Sequence, residues 1–390
     1  MTVRLSRRVP VMYIELSGEH IAYRDRLRAH IAANRPDLPR PPGTRSPRTT
    51  DLPDYRAWCA SLFREGFIGL DWPREWGGRG EDDPIRDYIL DQELADAGVP
   101  RPIGAYNLVA TPLLRYGTRA QQELLLPRIR GFADLWCQLF SEPEAGSDLA
   151  ALRTRARRDG EHWIVDGQKV WTTHAHIADM GFLLARTDQD AGKHAGISAF
   201  LLDMSSPGIE VRPLRELTGS SDFNEVFFDQ VRIPHAAMLG ESGQGWEIAR
   251  AALVHERGQS LREDSVTAAV HRLVRLARDR NRLADQGIRR TIGRLAARAQ
   301  ISDLLGLRGV LRDAAGTSGP ADAAVTKVVF TEANLDAATF GVELQEADGI
   351  LDGRWQEAFL WARGFTISAG SNEIMRNLIA ERGLGLPREK

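Results

Sequence analysis

The spacing of hydrophobic positions divides the chain into three segments of different character. Across residues 12–133 the apolar side chains recur every three or four positions, which is the spacing of amphipathic helices. This pattern predicts helices at 55–65, 86–97 and 120–131, after an amphipathic stretch that follows Met12. A proline-rich connector is predicted at 36–53. The first segment therefore predicts a helical N-terminal domain.

Residues 134–243 form short apolar runs separated by turn residues, a pattern that favours β-strands. Asp166-Gly167 has the composition of a two-residue hairpin turn, so a fold-back is predicted there. Pro207-Gly208 predicts a second turn, and residues 153–158 are interpreted as a solvated turn before a strand. The regular spacing predicts a small β-barrel or sandwich. The predicted strands cover 135–140, 163–165, 169–173, 181–186, 197–204, 225–228 and 231–234.

Residues 244–390 return to helical spacing, in long stretches rich in alanine, leucine and arginine. Glycines separate these stretches, and Gly383 followed by Pro387 ends the last one. Helices this rich in alanine often pack against copies of themselves, so oligomerisation is expected. The whole chain is predicted to be an α+β multi-domain protein. Its C-terminal helices are predicted at 246–260, 265–285, 291–312, 325–344, 354–364 and 374–382.

Composition narrows the class of protein. The 390 residues, of which 43% are hydrophobic, exceed what a single core supports, so two or three subdomains are expected. The net charge of −2 is spread along the chain and gives no electrostatic reason to expect nucleic-acid binding. The two cysteines, Cys59 and Cys137, argue against a disulfide scaffold or a structural zinc site. They fit a reducing compartment.

The ends of the chain and its apolar runs bear on location. No apolar run reaches the length of about 18 residues that a membrane span needs. Residues 1–11 contain three arginines but no long apolar core, so they do not have the pattern of a secretory signal. We expect this tail to be disordered or to result from an upstream start codon. The protein is therefore predicted to be soluble and cytoplasmic.

Two stretches of the middle segment have the composition of a cofactor site. Residues 138–149, Gln-Leu-Phe-Ser-Glu-Pro-Glu-Ala-Gly-Ser-Asp-Leu, follow a short apolar run with a loop that contains Pro143 and Gly146. Proline restricts one backbone dihedral and glycine frees another, so such a loop can turn its N–H groups toward a flat or anionic group. Residues 169–173, Lys-Val-Trp-Thr-Thr, end a second strand with an indole and two hydroxyls. A planar cofactor is one interpretation, and a solvent loop with a core tryptophan is the other.

These two stretches, in a chain that is helical, then strand-rich, then helical, resemble the acyl-CoA dehydrogenase family of flavoproteins. The resemblance runs from Met12 to the end of the chain and is strongest to the actinobacterial branch that includes steroid side-chain dehydrogenases. The supporting motifs are Asp71-Trp72-Pro73, Trp76-Gly77-Gly78, residues 223–228 with Ile233-Pro234, Gly243-Gln244-Gly245-Trp246, Glu256-Arg257, and residues 370–374 with 381–385.

The resemblance implies a fold, an activity and partners. It implies an N-terminal helical domain over 12–133, a middle β-barrel or sandwich over 134–243 and a C-terminal four-helix bundle over 244–390. The activity would be FAD-dependent oxidation of an acyl-CoA thioester to the trans-2-enoyl form. An electron-transfer flavoprotein or a similar acceptor would take the electrons. A homotetramer is the expected assembly, and a heterotetramer is the alternative.

The resemblance also implies which residues contact the cofactor. Loop residues would meet the flavin, the tryptophan and two threonines would cover the ring near its N5 edge, and C-terminal residues would hold the remaining parts. Ser147 would also lie near the acyl-CoA, with Arg257 and Gly370. The implied FAD contacts are Phe140, Ser141, Ser147, Trp171, Thr172, Thr173, Arg280, Gln345, Ser371 and Glu373.

The catalytic base is implied by a substitution. Many family members carry a glutamate just before a Gly-Thr pair in the C-terminal loop, but here Ala369 occupies that position, before Gly370-Ser371. Another branch carries its base in a Leu-x-x-Glu-Arg setting, which Leu253 to Arg257 matches. Glu256 is therefore predicted to be the base. A solvated Glu-Arg pair on a helix is the alternative.

Departures from the family pattern keep other readings open. Leu283 replaces an aromatic residue near Arg280, and the loop after Gln345 contains Glu346 and a single glycine. A partner subunit of a heterotetramer, or an oxidase or monooxygenase on the same fold, are the alternatives to a dehydrogenase. His174 and His176 suggest metal ligands, but with no third ligand nearby they are interpreted as structural or site-lining, and no metal site is predicted.

Overall fold

The computed structural model describes residues 16–38, 47–102, 106–259 and 266–388. Among these residues, the side chains of 106, 107, 254–259 and 320 are not part of the description. The predicted tail at 1–11 lies outside the described residues. Residues 39–46 of the predicted connector also lie outside them, and its described C-terminal end enters a helix with Pro53 in the first turn. Proline is tolerated there, since the first N–H groups of a helix have no partner within it.

The N-terminal helices confirm the three predicted from helical spacing, the amphipathic stretch after Met12 forms the first helix, and one further helix was not predicted. The first helix begins after Ser17, whose hydroxyl accepts a hydrogen bond from the His20 N–H. The helix that ends at Tyr116 is not among the predicted ones, and it contains Pro112. The helices are α1 Gly18–Asn34, α2 Leu52–Arg64, α3 Pro84–Ala97, α4 Tyr106–Tyr116 and α5 Arg119–Arg130.

The middle segment contains eight strands that form one hydrogen-bonded sheet within the described residues. Neighbouring strands follow the order β6-β7-β3-β2-β4-β5-β8, and β1 pairs in parallel with β4. The two motif stretches, at the end of β1 and the end of β3, therefore belong to the same sheet. The strands are β1 Trp136–Leu139, β2 Arg155–Asp159, β3 His162–Thr173, β4 Met180–Arg186, β5 Ile197–Asp203, β6 Ile209–Pro213, β7 Phe223–Pro234 and β8 Met238–Leu239.

The predicted hairpin at Asp166-Gly167 is wrong, because β3 runs through these residues without turning. Gly167 instead pairs with Phe228 of β7, and the chain reverses at Gly160, which has a φ of 59°. The two predicted strands at 225–228 and 231–234 are one strand with a bulge. At that bulge the Asp166 carboxylate accepts the Gln230 N–H at 2.9 Å. Residues 155–159, expected as part of a turn, form β2.

This register can be tested at Gly167, which has a φ of 151°. A Cβ there would lie 2.5 Å from Thr154 Oγ1, closer than packed atoms approach. We expect Gly167→Ala to lower the free energy of unfolding by about 2 kcal/mol or more. A Cβ at Gly192 would meet nothing within 4 Å, so Gly192→Ala is the control and should change stability by less than about 0.5 kcal/mol. Equal denaturant midpoints for the two variants would contradict the register.

The C-terminal helices agree with the predicted ones except at their ends. The predicted helix at 265–285 ends at Asp279, and a new helix begins after Asp285, whose carboxylate accepts the N–H groups of Gly287 and Ile288. None of the described helices is long and apolar enough to cross a bilayer. The helices are α6 Gly245–Gln259, α7 Val266–Asp279, α8 Gln286–Ala314, α9 Pro320–Glu343, α10 Arg354–Phe365 and α11 Asn372–Leu378.

The buried hydrophobic residues link these segments. One cluster joins the N-terminal helices to the inner face of β1, β4 and β5 and to α6, through residues such as Ile248 and Ala252. A second cluster lies within the sheet, and a third joins α7, α8 and α9. Helix α6 therefore packs against the sheet that carries the motif stretches.

Candidate flavin and acyl-CoA site

The two motif stretches lie side by side. Phe140, at the end of β1, is buried and packs edge-on against Phe182 with ring centroids 5.1 Å apart. The next carbonyl, that of Ser141, accepts the Val170 N–H at 2.9 Å, so the loop runs along the end of β3. Ser147, farther along the loop, is exposed. The structure thus brings Phe140 and Ser141 together with the end of β3, which carries Trp171.

A buried ion pair joins the loop to the strand. Lys169 is 0% exposed, and its Nζ donates to Glu142 Oε1 at 2.8 Å and to the Phe140 carbonyl at 3.0 Å. The Glu142 carboxylate also accepts the N–H groups of Arg153 and Thr154. Burial lowers the pKa of Lys169 to about 8, against the opposing effect of Glu142.

Burial also opposes ionisation of Glu142. The Lys169 ammonium and the two backbone donors outweigh that effect and keep the pKa of Glu142 below its usual value. The sequence prediction missed this pair, although a lysine inside an apolar strand is a visible signal of a buried partner.

Trp171 presents its indole to the surface, with 60% of the residue exposed. The ladder between β3 and β7 shifts register between Lys169 and Thr172, and Trp171 adopts a φ of 58°. Such a bulge re-aims a side chain out of the sheet. The core-tryptophan interpretation is therefore wrong. The indole lies perpendicular to the Phe223 ring, at 6.0 Å between centroids and an interplanar angle of 90°.

The residues beside Trp171 leave polar atoms without partners. Thr172 is buried, and neither its Oγ1 nor Asn224 Oδ1 has a hydrogen-bond partner among the described residues. Asn224 Nδ2 donates to the Thr172 carbonyl at 3.0 Å and lies 3.2 Å from His176 Nδ1. Burial lowers the pKa of His176. Thr173 ends β3, opposite Phe223. Since buried polar atoms nearly always have a partner, these two oxygens indicate a place where a bound group can supply one.

His174 and His176 lie in the turn that follows the Trp171 stretch. No group of three or more potential metal-binding side chains occurs in the described part of the chain. His174 has a φ of 64°, and its N–H donates to the Asp222 carbonyl at 3.0 Å. Its backbone therefore shapes the turn at the end of β3.

Helix α10 brings the C-terminal segment to the same place. Trp361 approaches Phe223 with centroids 6.3 Å apart, and its other neighbour is Phe365, stacked at 6.1 Å. Trp171, Phe223, Trp361 and Phe365 thus form a continuous aromatic series, which we call the aromatic bridge. It links the exposed indole to the start of segment 366–372. Trp361 and Phe365 were not predicted, although their spacing of four residues puts them on one helix face.

Arg280 and Gln345 contact each other. Arg280 Nη1 donates to the Gln345 carbonyl at 2.8 Å, and Nη2 forms an ion pair with Asp348. Arg282 forms an ion pair with Glu346 in the same loop. The two carboxylates of this loop, Glu346 and Asp348, therefore both have arginine partners. Their role in holding the adenosine half of FAD stays a prediction.

The remaining predicted residues lie at helix ends. The Ser371 hydroxyl accepts the Ile374 N–H at 3.3 Å and caps α11, while Glu373 is exposed in its first turn. A backbone hydrogen bond and the Ser371 hydroxyl lower the pKa of Glu373. Gly370 has a φ of 92°. Glu256 and Arg257 belong to the backbone of α6, but their side chains are outside the described residues.

Comparison with known proteins matches all three segments to one family. The profile for the acyl-CoA dehydrogenase N-terminal domain matches residues 18–131, the middle-domain profile matches 137–231, and the C-terminal-domain profile matches 243–384. Acyl-CoA dehydrogenase IpdE1 of Mycobacterium tuberculosis is 39% identical over 351 residues, which cover 86% of this chain and 89% of that protein. Acyl-CoA dehydrogenase FadE34 of the same organism is 39% identical over 361 residues, which cover 92% of this chain and 50% of that protein.

Solved structures agree with this match. A steroid ACAD, Tcur3481-Tcur3483, superimposes with a TM-score of 0.82 at 29% identity, covering 97% of this chain and 100% of that chain. The ChsE4-ChsE5 complex of Mycobacterium tuberculosis gives a TM-score of 0.81 at 30% identity, with the same coverage. These matches, together with the helical, sheet and helical segments, confirm the predicted fold class. The chain belongs to the acyl-CoA dehydrogenase family of flavin-dependent oxidoreductases.

Proposed function

We propose that this protein is a FAD-dependent acyl-CoA dehydrogenase that converts an acyl-CoA thioester to its trans-2-enoyl form. In this proposal Glu256 removes the α-proton, and the β-hydride leaves toward flavin N5. When bound, FAD would be the acceptor of this hydride. The observation that carries the proposal is the exposed Trp171 indole beside the loop that Lys169 holds in place.

The described residues fit a flat, heteroatom-rich group. Trp171 offers a largely exposed indole, and its ring contact with Phe223 is perpendicular, not stacked. Thr172 Oγ1 and Asn224 Oδ1 are buried oxygens that a ring edge could bond. The proposed flavin contacts from the family resemblance also include Phe140, Ser141, Ser147 and Thr173. Of these, Ser141 and Thr173 lie at the same end of β3 as Trp171. Arg280, Gln345, Ser371 and Glu373 are proposed contacts for the rest of FAD.

The base is proposed to lie on α6. An α-proton of a thioester is too weakly acidic for a carboxylate in water, so the site must exclude solvent and polarise the carbonyl. Ala369 cannot accept a proton. Position 256 is four residues beyond Ala252 and seven beyond Ala249, and both alanines are buried in the cluster that α6 shares with the N-terminal helices and the sheet. This periodicity supports Glu256 over the solvated alternative.

The substrate class and the partners are proposed from the relatives. Two of the similar structures are a steroid ACAD and a two-protein complex, so an acyl-CoA with a bulky or steroid-derived acyl group is a candidate substrate. Ser147, Arg257 and Gly370 are proposed to contact the acyl-CoA. An electron-transfer flavoprotein or similar acceptor would reoxidise the enzyme, which we propose acts as a homotetramer.

The purified chain tests the proposed function. We expect a yellow protein with one FAD per subunit that loses its flavin absorbance anaerobically when acyl-CoA is added. A panel of straight, branched and steroid-derived acyl-CoAs would identify the substrate by the rate of bleaching. A protein that holds FAD but is bleached by none of them would refute the dehydrogenase assignment. Rapid reoxidation by oxygen with release of peroxide would favour an oxidase.

A heterotetramer partner subunit is the second candidate. Arg280 forms an ion pair with Asp348, and Arg282 forms one with Glu346. These pairs compete with binding of the FAD diphosphate by the two guanidinium groups. This function predicts that the chain purified alone lacks FAD and gains it when it is expressed with a second family member. Stoichiometric FAD in the chain alone would exclude it.

Trp171 is a direct test of the flavin face. Because its indole is largely exposed, we expect Trp171→Ala to leave the free energy of unfolding of the apoprotein nearly unchanged. Loss of a stacked ring should weaken FAD binding by about tenfold. Leu124→Ala is the control, since Leu124 is also an exposed apolar residue but lies on α5. Equal FAD dissociation constants for the two variants would remove Trp171 from the cofactor site.

A further inference from the structure

Lysine is rare in this chain, and its positions are informative. Of 51 basic residues, only four are lysines, Lys169, Lys193, Lys327 and Lys390, and arginine supplies the others. Two of these four, Lys169 and Lys327, are almost completely buried, at 0% and 3% exposure. An ammonium on a flexible stem directs three donors in a tetrahedral fan, whereas a guanidinium is a planar fork. A buried lysine in an arginine-rich chain therefore indicates a site with three converging acceptors.

Lys327 meets such a site at segment 366–372, which joins α10 to α11. From α9, its Nζ donates to the carbonyl oxygens of Thr366 at 3.2 Å and Gly370 at 2.9 Å, and to Asn372 Oδ1 at 2.8 Å. Thr331, one turn along α9, donates its hydroxyl to the same Asn372 oxygen at 3.1 Å. A single ammonium thus holds the start, the middle and the end of the segment.

The segment needs such support because its backbone is strained. Ala369 has a φ of 53° and Gly370 a φ of 92°, and the first is unfavourable for a residue with a Cβ. At Gly370 a Cβ would lie 2.6 Å from Met375 Cε. The three oxygens that bind Lys327 are all uncharged. The ammonium therefore orients peptide and amide dipoles, and since a trans peptide directs its N–H opposite to its C=O, it also fixes the direction of the Ser371 N–H.

The segment begins where the aromatic bridge ends. Phe365 immediately precedes it and stacks on Trp361, which approaches Phe223 and, through it, the exposed Trp171. The rings of the aromatic bridge thus connect the start of segment 366–372 to the candidate flavin strand.

We propose that Lys327 is a positioning residue that fixes segment 366–372 as one wall of the acyl-CoA site. The assignment of this wall to an acyl-CoA site rests on the proposed function. The fixed conformation itself follows from the hydrogen bonds alone. Lys327 contacts no substrate in this role and acts through the carbonyl groups that it holds.

The first test compares Lys327→Met with Lys193→Met in the FAD-bound enzyme. Lys193 lies at the surface, where it pairs with Asp148, so its replacement is the matched control. We expect Lys327→Met to keep one FAD per subunit and to lower the maximal rate of anaerobic flavin reduction by about 10²-fold, the scale of a small misplacement of reacting groups. The KM for acyl-CoA should change much less. A rate equal to that of Lys193→Met would overturn the proposal.

If Lys327→Met does not fold, a second pair of variants, at Asn372, tests the same proposal. Asn372→Asp keeps an oxygen for both Lys327 and Thr331, whereas Asn372→Leu removes it. We expect Asn372→Asp to retain most of the rate and Asn372→Leu to lose it. Equal rates in the two variants would count against the positioning role.

Hydrogen exchange separates this proposal from the proposed function. Amides of peptides covering 366–372 should exchange faster in Lys327→Met or Asn372→Leu than in the unsubstituted protein. This measurement needs no turnover, so it tests the fixed segment even if no acyl-CoA bleaches the flavin. Unchanged exchange in this segment would overturn the proposal whatever the activity.

Discussion

Glu256→Gln is expected to reduce anaerobic flavin reduction by acyl-CoA by about 10³–10⁴-fold, near the upper range for loss of a general base. Glutamine has the same shape as glutamate but cannot accept the α-proton at neutral pH. Because Ala369 supplies no carboxylate from the C-terminal segment, no second base is expected to compensate. The variant should still bind FAD, since the substitution leaves the loop at 138–149 and the end of β3 intact. Stopped-flow absorbance of the oxidised flavin measures the rate.

Glu247→Gln is the matched control for that experiment. Glu247 lies on the same helix, in its first turn, where its carboxylate accepts the Tyr116 hydroxyl at 2.9 Å. We expect this variant to reduce its flavin at nearly the normal rate. Near-normal reduction in Glu256→Gln as well would assign the base to another residue. Loss of FAD from Glu256→Gln would instead indicate a structural role for the carboxylate.

The sequence predicted what depends on local pattern. Helical spacing located most of the helices. The motifs at 138–149 and 169–173, which the sequence assigned to one site, lie side by side in the structure. The hairpin at Asp166-Gly167 failed because a nearby Asp159-Gly160 pair has equal turn propensity. Which pair turns is decided by pairing of β3 with β7, a contact between distant residues that local propensity does not contain.

Long-range contacts also explain what the sequence left open at Trp171 and missed at Trp361. Trp171 is exposed because of a bulge opposite β7, and no property of residues 169–173 alone distinguishes that from a core position. Trp361 reaches the site only because α10 packs near Phe223, which lies more than a hundred residues earlier in the chain. Likewise, the sequence alone does not show that Asp348 and Glu346, in the loop after Gln345, pair with Arg280 and Arg282.

Lys169→Met is expected to lower the free energy of unfolding by about 3–5 kcal/mol, the range for breaking a buried ion pair from one side. The substitution leaves the Glu142 carboxylate with only the N–H groups of Arg153 and Thr154 as partners, and it releases the Phe140 carbonyl. Chemical denaturation of the apoprotein measures the loss. Lys193→Met is the control, since its half-exposed pair with Asp148 should contribute about 1 kcal/mol or less.

The same lysine predicts a pH dependence of definite sign. Burial lowers the pKa of Lys169 to about 8 in the folded protein, from an ordinary value of 10.5 that applies to the unfolded chain. Between these values the unfolded chain binds more protons at this group, so its contribution to stability rises with pH. Lys169→Met lacks that contribution. The stability difference between the unsubstituted protein and Lys169→Met should therefore widen from pH 8 toward pH 10.5. A constant difference would contradict the lowered pKa.

A double variant separates the ion pair from the packing of the lysine stem. The Arg153 and Thr154 N–H groups bind different oxygens of Glu142, so Glu142→Gln keeps an acceptor for only one of them, but it removes the charge that Lys169→Met leaves unpaired. We therefore expect Lys169→Met/Glu142→Gln to recover most of the stability that Lys169→Met loses, because an unpaired buried charge accounts for most of that loss. If the double variant is no more stable than Lys169→Met, the loss comes from the released Phe140 carbonyl and the altered packing. If Lys169→Met is as stable as Lys193→Met, the buried pair does not hold the flavin loop against β3.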